Sequence, residues 1–87
     1  MAFVIIEYLF PSPMTEAGLR EMVATLRPCT QTRGIRGLRT ILSSDGLRGF
    51  CEVEAPDAET VREAFRSARV PFHSVWAAEL YEAQSES

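Results

Sequence analysis

IRGLRTILSSDGLRGFCEVE, residues 35–54, decides the fold. Asp45-Gly46 sits between two runs rich in β-branched and apolar residues, and an Asp-Gly pair in that setting is a strong two-residue hairpin signal. The strands are Ile35 to Ser43 and Arg48 to Glu54. A turn centred on Asp45-Gly46 sets Leu38 opposite Val53, Thr40 opposite Cys51 and Leu42 opposite Gly49. It also sets Arg39 opposite Glu52 and Ile41 opposite Phe50. Side chains alternate along a strand, so these two sets lie on opposite faces. Lengthening the turn by one residue at each end preserves the faces.

Outward from the hairpin, four more elements are legible. Phe3 to Phe10 is a strand ending at Pro11-Ser12-Pro13, interrupted in its apolar character only by Glu7. A strand apolar on both faces is buried on both faces. Thr15 caps a helix whose stripe is Leu19, Met22, Val23 and Leu26. Pro28 is expected to end or kink it, with an irregular turn over Cys29 to Arg33 closed by Gly34. After Ala55-Pro56, Asp57 caps a second helix with Val61, Ala64, Phe65 and Ala68 as its apolar stripe and Arg62, Glu63 and Arg66 on the wet side. Val70-Pro71 stops it. Ser74 to Tyr81 is the last strand, and Glu82 to Ser87 a polar, frayed tail.

The order β-α-β-β-α-β is the ferredoxin-like split βαβ arrangement of the α+β class. Right-handed crossovers put the first and third strands in the middle of a four-stranded antiparallel sheet, with both helices on one face. Residues 1–81 form one domain. Eighty-seven residues leave room for no second one, and a chain this short buries only roughly 60–65% of its unfolded surface.

The other face of the sheet is the open one. It carries Ile35, Arg39, Ile41, Phe50, Glu52 and Glu54. From the first strand it takes Phe3, Ile5, Glu7 and Leu9, because Glu7 does not belong in a helix-covered core. By the same reasoning Glu79 points out with Val75, Ala77 and Tyr81, leaving Trp76, Ala78 and Leu80 pointing in. So large an apolar face calls for a cover. A second copy packed sheet to sheet, a dimeric α+β barrel, supplies it and buries on the order of 1,200–2,000 Å².

Composition narrows the chemistry. Hydrophobic residues are 46% and charged residues 24%, and net charge is −3, which argues against a nucleic-acid footprint. All nine basic residues are arginine, so lysine Schiff-base chemistry and the phosphate-loop lysine are excluded. One histidine and two cysteines do not make a histidine triad or a four-cysteine zinc site. No run has the length of a membrane span, and the apolar start lacks the basic lead of a secretory peptide. Cys29 and Cys51 form no CxxC pair and read as free thiols in a reducing, cytoplasmic setting, although a bridge between them is open on spacing alone.

The candidates that remain are few. Glu7, the one acid in an apolar central strand, is a base, a metal ligand or a cross-strand partner for an arginine. Glu52, Glu54 and Glu79 share its face and form either a hard-cation site or a solvated rim. Arg39 either grips a ligand carboxylate or pairs with Glu52 across the strands. Cys51 reads as core before nucleophile, His73 as a surface loop residue before a metal ligand or pH-sensitive base, and Trp76 as a core anchor before a stacking platform. No cofactor is called for.

Ile35-Arg36-Gly37-Leu38-Arg39-Thr40, Ser44-Asp45-Gly46, Phe50-Cys51-Glu52-Val53-Glu54-Ala55-Pro56-Asp57 and Val70-Pro71 together resemble a family of small bacterial domains of unknown function, labelled nickel-binding-protein-like. The resemblance covers nearly the whole chain. The aromatic-Cys-x-x-Glu-Ala-Pro stretch is its most specific part. Glu7 matches the family's acidic position and Thr40 its small hydroxyl. The resemblance implies the ferredoxin-like fold and the barrel dimer. Nickel-binding relatives are histidine-rich where they hold metal, and this chain has only His73, so no metal set is carried over. Gly37 stands where relatives often have a large aromatic, which enlarges any cavity beneath the sheet.

Three functions fit. The first is a homodimer holding a small ligand or metal ion between its sheets, with Glu7, Arg39 and Glu52 as polar contacts. The second is a small cofactor-free enzyme of isomerase or monooxygenase type with Glu7 as general base. The third is a regulatory or interaction module without a ligand.

Overall fold

The computed structural model describes residues 1–83; the end of the polar tail, 84–87, lies outside the described residues. The elements are β1 (Ala2–Leu9), α1 (Glu16–Gln31), β2 (Arg36–Leu42), β3 (Arg48–Ala55), α2 (Ala58–Ala68) and β4 (Ser74–Ala78). They form one antiparallel sheet of order β2-β3-β1-β4, with β1 and β3 central as the crossover rule requires. Val4, Ile6 and Tyr8 of β1 pack with Val53, Ala55, Leu26, Val61, Phe65 and Val75 between the sheet and the helices. Tyr8 stacks on Phe10, and Phe65 meets Phe72 edge-on.

Both helices start where their caps place them. The Thr15 side chain accepts from Gly18 N–H, and that of Asp57 from Thr60 N–H. The hydrogen bonds from Thr60 hold the Asp57 carboxyl below its ordinary pKa. At the other end of α1 the expectation fails: the helix runs through Pro28 to Gln31. Proline removes the hydrogen bond to the carbonyl four residues back, that of Ala24, and Ala24 is exposed, so water can serve that carbonyl. Residues 29–31 are therefore helical, and Gly34, at φ +68°, turns the chain towards β2. Of the expected stripe on α1 only Leu26 is buried; Met22 packs against the core and Val23 is exposed.

From Arg39 onward the hairpin has the expected faces, with a longer loop. Ser43 N–H bonds to Arg48 O, so four residues, Ser44 to Leu47, make the connection. Asp45 Oδ1 accepts from Ser43 Oγ and Leu47 N–H, which lowers its pKa. Gly46 stands at φ +74°, and a Cβ there would lie 2.9 Å from Met14 O and 3.0 Å from Met14 N. Its carbonyl accepts from Met14 N–H, tying the hairpin to the β1–α1 connection. Gly46→Ala is expected to cost about 2–4 kcal/mol, combining the left-handed backbone penalty with displacement of that segment. Urea unfolding measures it; a loss under about 0.5 kcal/mol contradicts the docked loop.

Two facings differ from expectation. In β2, Arg39 pairs with Glu52 and Thr40 with Cys51, but Gly37, not Leu38, pairs with Val53. Leu38 is the extra residue of a β-bulge. The extra residue reverses the facing of everything before it. Arg36 therefore joins Glu54 on the open face, and Ile35 packs against the core instead of facing out. In β4 the expected sides are exchanged. Val75 is 4% exposed and in the core, whereas Trp76 is 41% exposed on the open face. The strand ends at Ala78, so Glu79, Leu80 and Tyr81 lie beyond it and its alternation does not extend to them.

Candidate functional site

The candidate site is the sheet face away from the helices. Val4 and Ile6 are fully buried on the helix side; alternation then commits Phe3, Ile5, Glu7 and Leu9 to the other side. The pairings array neighbours about them. Ile5 lies between Glu52 and Trp76, and Glu7 between Phe50 and Ser74. Ile41, opposite Phe50, extends the apolar surface onto β2. Leu9, Ile41, Phe50 and Trp76 are all exposed.

Two polar groups are set into this surface. Trp76 Nε1 donates to Glu7 Oε1 at 2.8 Å. That bond fixes the carboxylate, and Oε2 has no hydrogen-bond donor among the described residues. Arg39 Nε donates to Glu52 Oε1 at 2.6 Å, and the Glu52 side chain is only 12% exposed. Glu7 and Glu52 are diagonal neighbours, roughly 7–8 Å apart along the sheet. Glu7, Arg39 and Glu52 thus share one face. Arg39 and Glu52 form a direct pair, and Glu7 is joined instead to Trp76. At one end of the face, Phe3, Leu38, Arg39, Glu52, Leu80 and Tyr81 enclose an open hollow of about 520 Å³.

The remaining candidates lie elsewhere or are occupied. Arg36 holds Glu54, a pair the sequence reading missed because the bulge creates it. Glu79 accepts from Tyr81 O–H at 2.9 Å. Cys51 faces the helices, where Thr40 Oγ1 donates to its sulfur at 3.6 Å. Burial pushes its thiol pKa up, and that of the neighbouring Tyr8 as well, so Cys51 stays a protonated, weakly reactive thiol. Cys29 and Cys51 are both free. The His73 side chain is exposed, and its backbone N–H donates to Glu7 O at 2.7 Å. Trp76 is the site residue that the sequence reading assigned to the core. Its indole N–H, which needs a partner when shielded from water, was the available signal.

Among the described residues no helix is long and apolar enough to cross a membrane. A family model described as nickel responsive protein SCO4226-like matches residues 3–77. The crystal structure of SCO4226 from Streptomyces coelicolor A3(2) superposes with a TM-score of 0.82, covering 93% of this chain and 100% of that one at 14% identity. At that identity the likeness establishes the fold alone. No curated protein matches the chain.

Proposed function

The chain belongs to the SCO4226-like family of nickel responsive proteins, and from that premise and the open sheet face we propose that two copies pack sheet to sheet and hold a small ligand against Glu7. The observation that carries this reading is the setting of Glu7. Its carboxylate is fixed by Trp76, keeps one oxygen available, and stands among apolar groups that a monomer leaves in water. Covering that face removes the apolar surface from solvent and encloses the carboxylate in a medium where its charge acts strongly. The ligand that suits it is a cation or a hydrogen-bond donor, with the Arg39–Glu52 pair as a second polar contact.

Nickel itself is not the ligand that this donor set fits. Nickel(II) is best held by imidazole and thiolate groups. His73 is the single histidine and lies in the loop before β4, Cys29 is on α1, and Cys51 faces the helices. Among the described residues no three His, Cys, Asp or Glu side chains converge on a metal position.

A thermal-shift screen of small amines, phenols and divalent-metal chlorides, nickel included, tests the site. A ligand at a hundred times its Kd adds about 2.7 kcal/mol, on the order of 10 °C in Tm. Glu7→Gln keeps an oxygen for the Trp76 N–H but removes the charge, and is expected to abolish the shift. A shift of the same size in Glu7→Gln places the ligand elsewhere.

A further inference from the structure

The helix side of the sheet carries a second concavity. α1 packs chiefly on α2, and β2 chiefly on β3, so the start of β2 around Gly37 and Leu38 is left exposed. Between α1 and β2 lies an open cleft of about 550 Å³, within the range that accommodates small organic molecules. Its floor is the outer surface of the core, formed by Leu26, Val53 and Phe65. Val23 and Leu38 form its walls and are 39% and 43% exposed. Gly37 leaves the strand side without a side chain; a Cβ there meets nothing within 4 Å.

One uncompensated charge stands at the edge of this cleft. Arg27, Arg36 and Arg39 border it and no aspartate or glutamate does. Arg36 and Arg39 are engaged by Glu54 and Glu52. Arg27 has no carboxylate partner among the described residues. An apolar floor with an uncompensated guanidinium at its edge is complementary to a molecule with a hydrocarbon body and an anionic head.

We propose that the α1–β2 cleft binds an amphipathic organic carboxylate, its hydrocarbon on Leu26, Val53 and Phe65 and its carboxylate on Arg27. The site lies on the opposite side of the sheet from Glu7, meeting the open-face hollow only at Leu38 and Arg39 on the β2 edge, and stands whether or not that face binds a ligand.

The test is a titration of decanoate, below its aggregation concentration, into isotope-labelled full-length protein followed by amide resonances. Saturable shifts are expected at Leu26, Gly37, Cys51 and Val53, with Glu7 and Trp76 unmoved. Arg27→Glu, an exposed substitution on a helix, is expected to weaken binding at least tenfold, and decanol to bind at least tenfold more weakly than decanoate. Gly37→Phe fills the cleft and is expected to abolish binding with the remaining resonances native-like. Absence of saturable binding, shifts centred on Glu7 and Trp76, or equal affinity in Arg27→Glu overturns the proposal.

Discussion

The double variant Ile41→Glu/Phe50→Arg is expected to be folded and monomeric. The two residues are directly opposite each other on β2 and β3 and both are exposed on the open face. In a sheet-to-sheet dimer each apolar side chain becomes buried, and burial of one is worth about 1.5–3 kcal/mol. A twofold interface uses both residues twice; because Ile41 is 51% and Phe50 38% exposed in one copy, about half of each burial remains to be gained, and the lost stabilisation is on the order of 3–6 kcal/mol, about two to four decades in the dimer Kd. The introduced charges also oppose burial. Within one copy they are a cross-strand Glu-Arg pair, a favourable combination that preserves the hairpin. Circular dichroism and thermal melting report the fold, and sedimentation the mass. A double variant that still dimerises removes this face from the interface.

Ile6→Ala is expected to destabilise the domain by about 2–5 kcal/mol. Ile6 has no exposed surface and sits on β1 between Cys51 of β3 and Val75 of β4. Truncation leaves a cavity in a region held by β strands on both sides, which limits collapse around it. A small domain has about 5–15 kcal/mol in total, so Tm is expected to fall by roughly 10–30 °C. Urea unfolding at fixed protein concentration checks it, since stability coupled to the proposed dimerisation would depend on concentration. A loss below about 1 kcal/mol contradicts a core centred on β1.

The hairpin faces were legible because a period-2 pattern and an Asp-Gly turn constrain each other. The side taken by Glu7 was legible because a lone acid in an apolar strand has only one inexpensive orientation. The bulge at Leu38 was not. An extra residue leaves no mark in an alternating pattern, yet it turns Ile35 inwards and creates the Arg36–Glu54 pair. β4 is five residues long, too short for its own alternation to decide its facing. Using Glu79 to orient it relied on a residue outside the strand and exchanged Val75 with Trp76. Consequently Glu7, Arg39 and Glu52 could be placed on one face from sequence, but the Trp76 contact that fixes Glu7 could not.

Sheet-to-sheet dimerisation is the central claim, and sedimentation equilibrium of the unmodified chain tests it most directly. A chain of 9.7 kDa is expected to sediment as a species of about twice that mass at micromolar concentration, as an interface on the order of 1,200–2,000 Å² provides. A mass of 9.7 kDa maintained to the highest attainable concentration would contradict it.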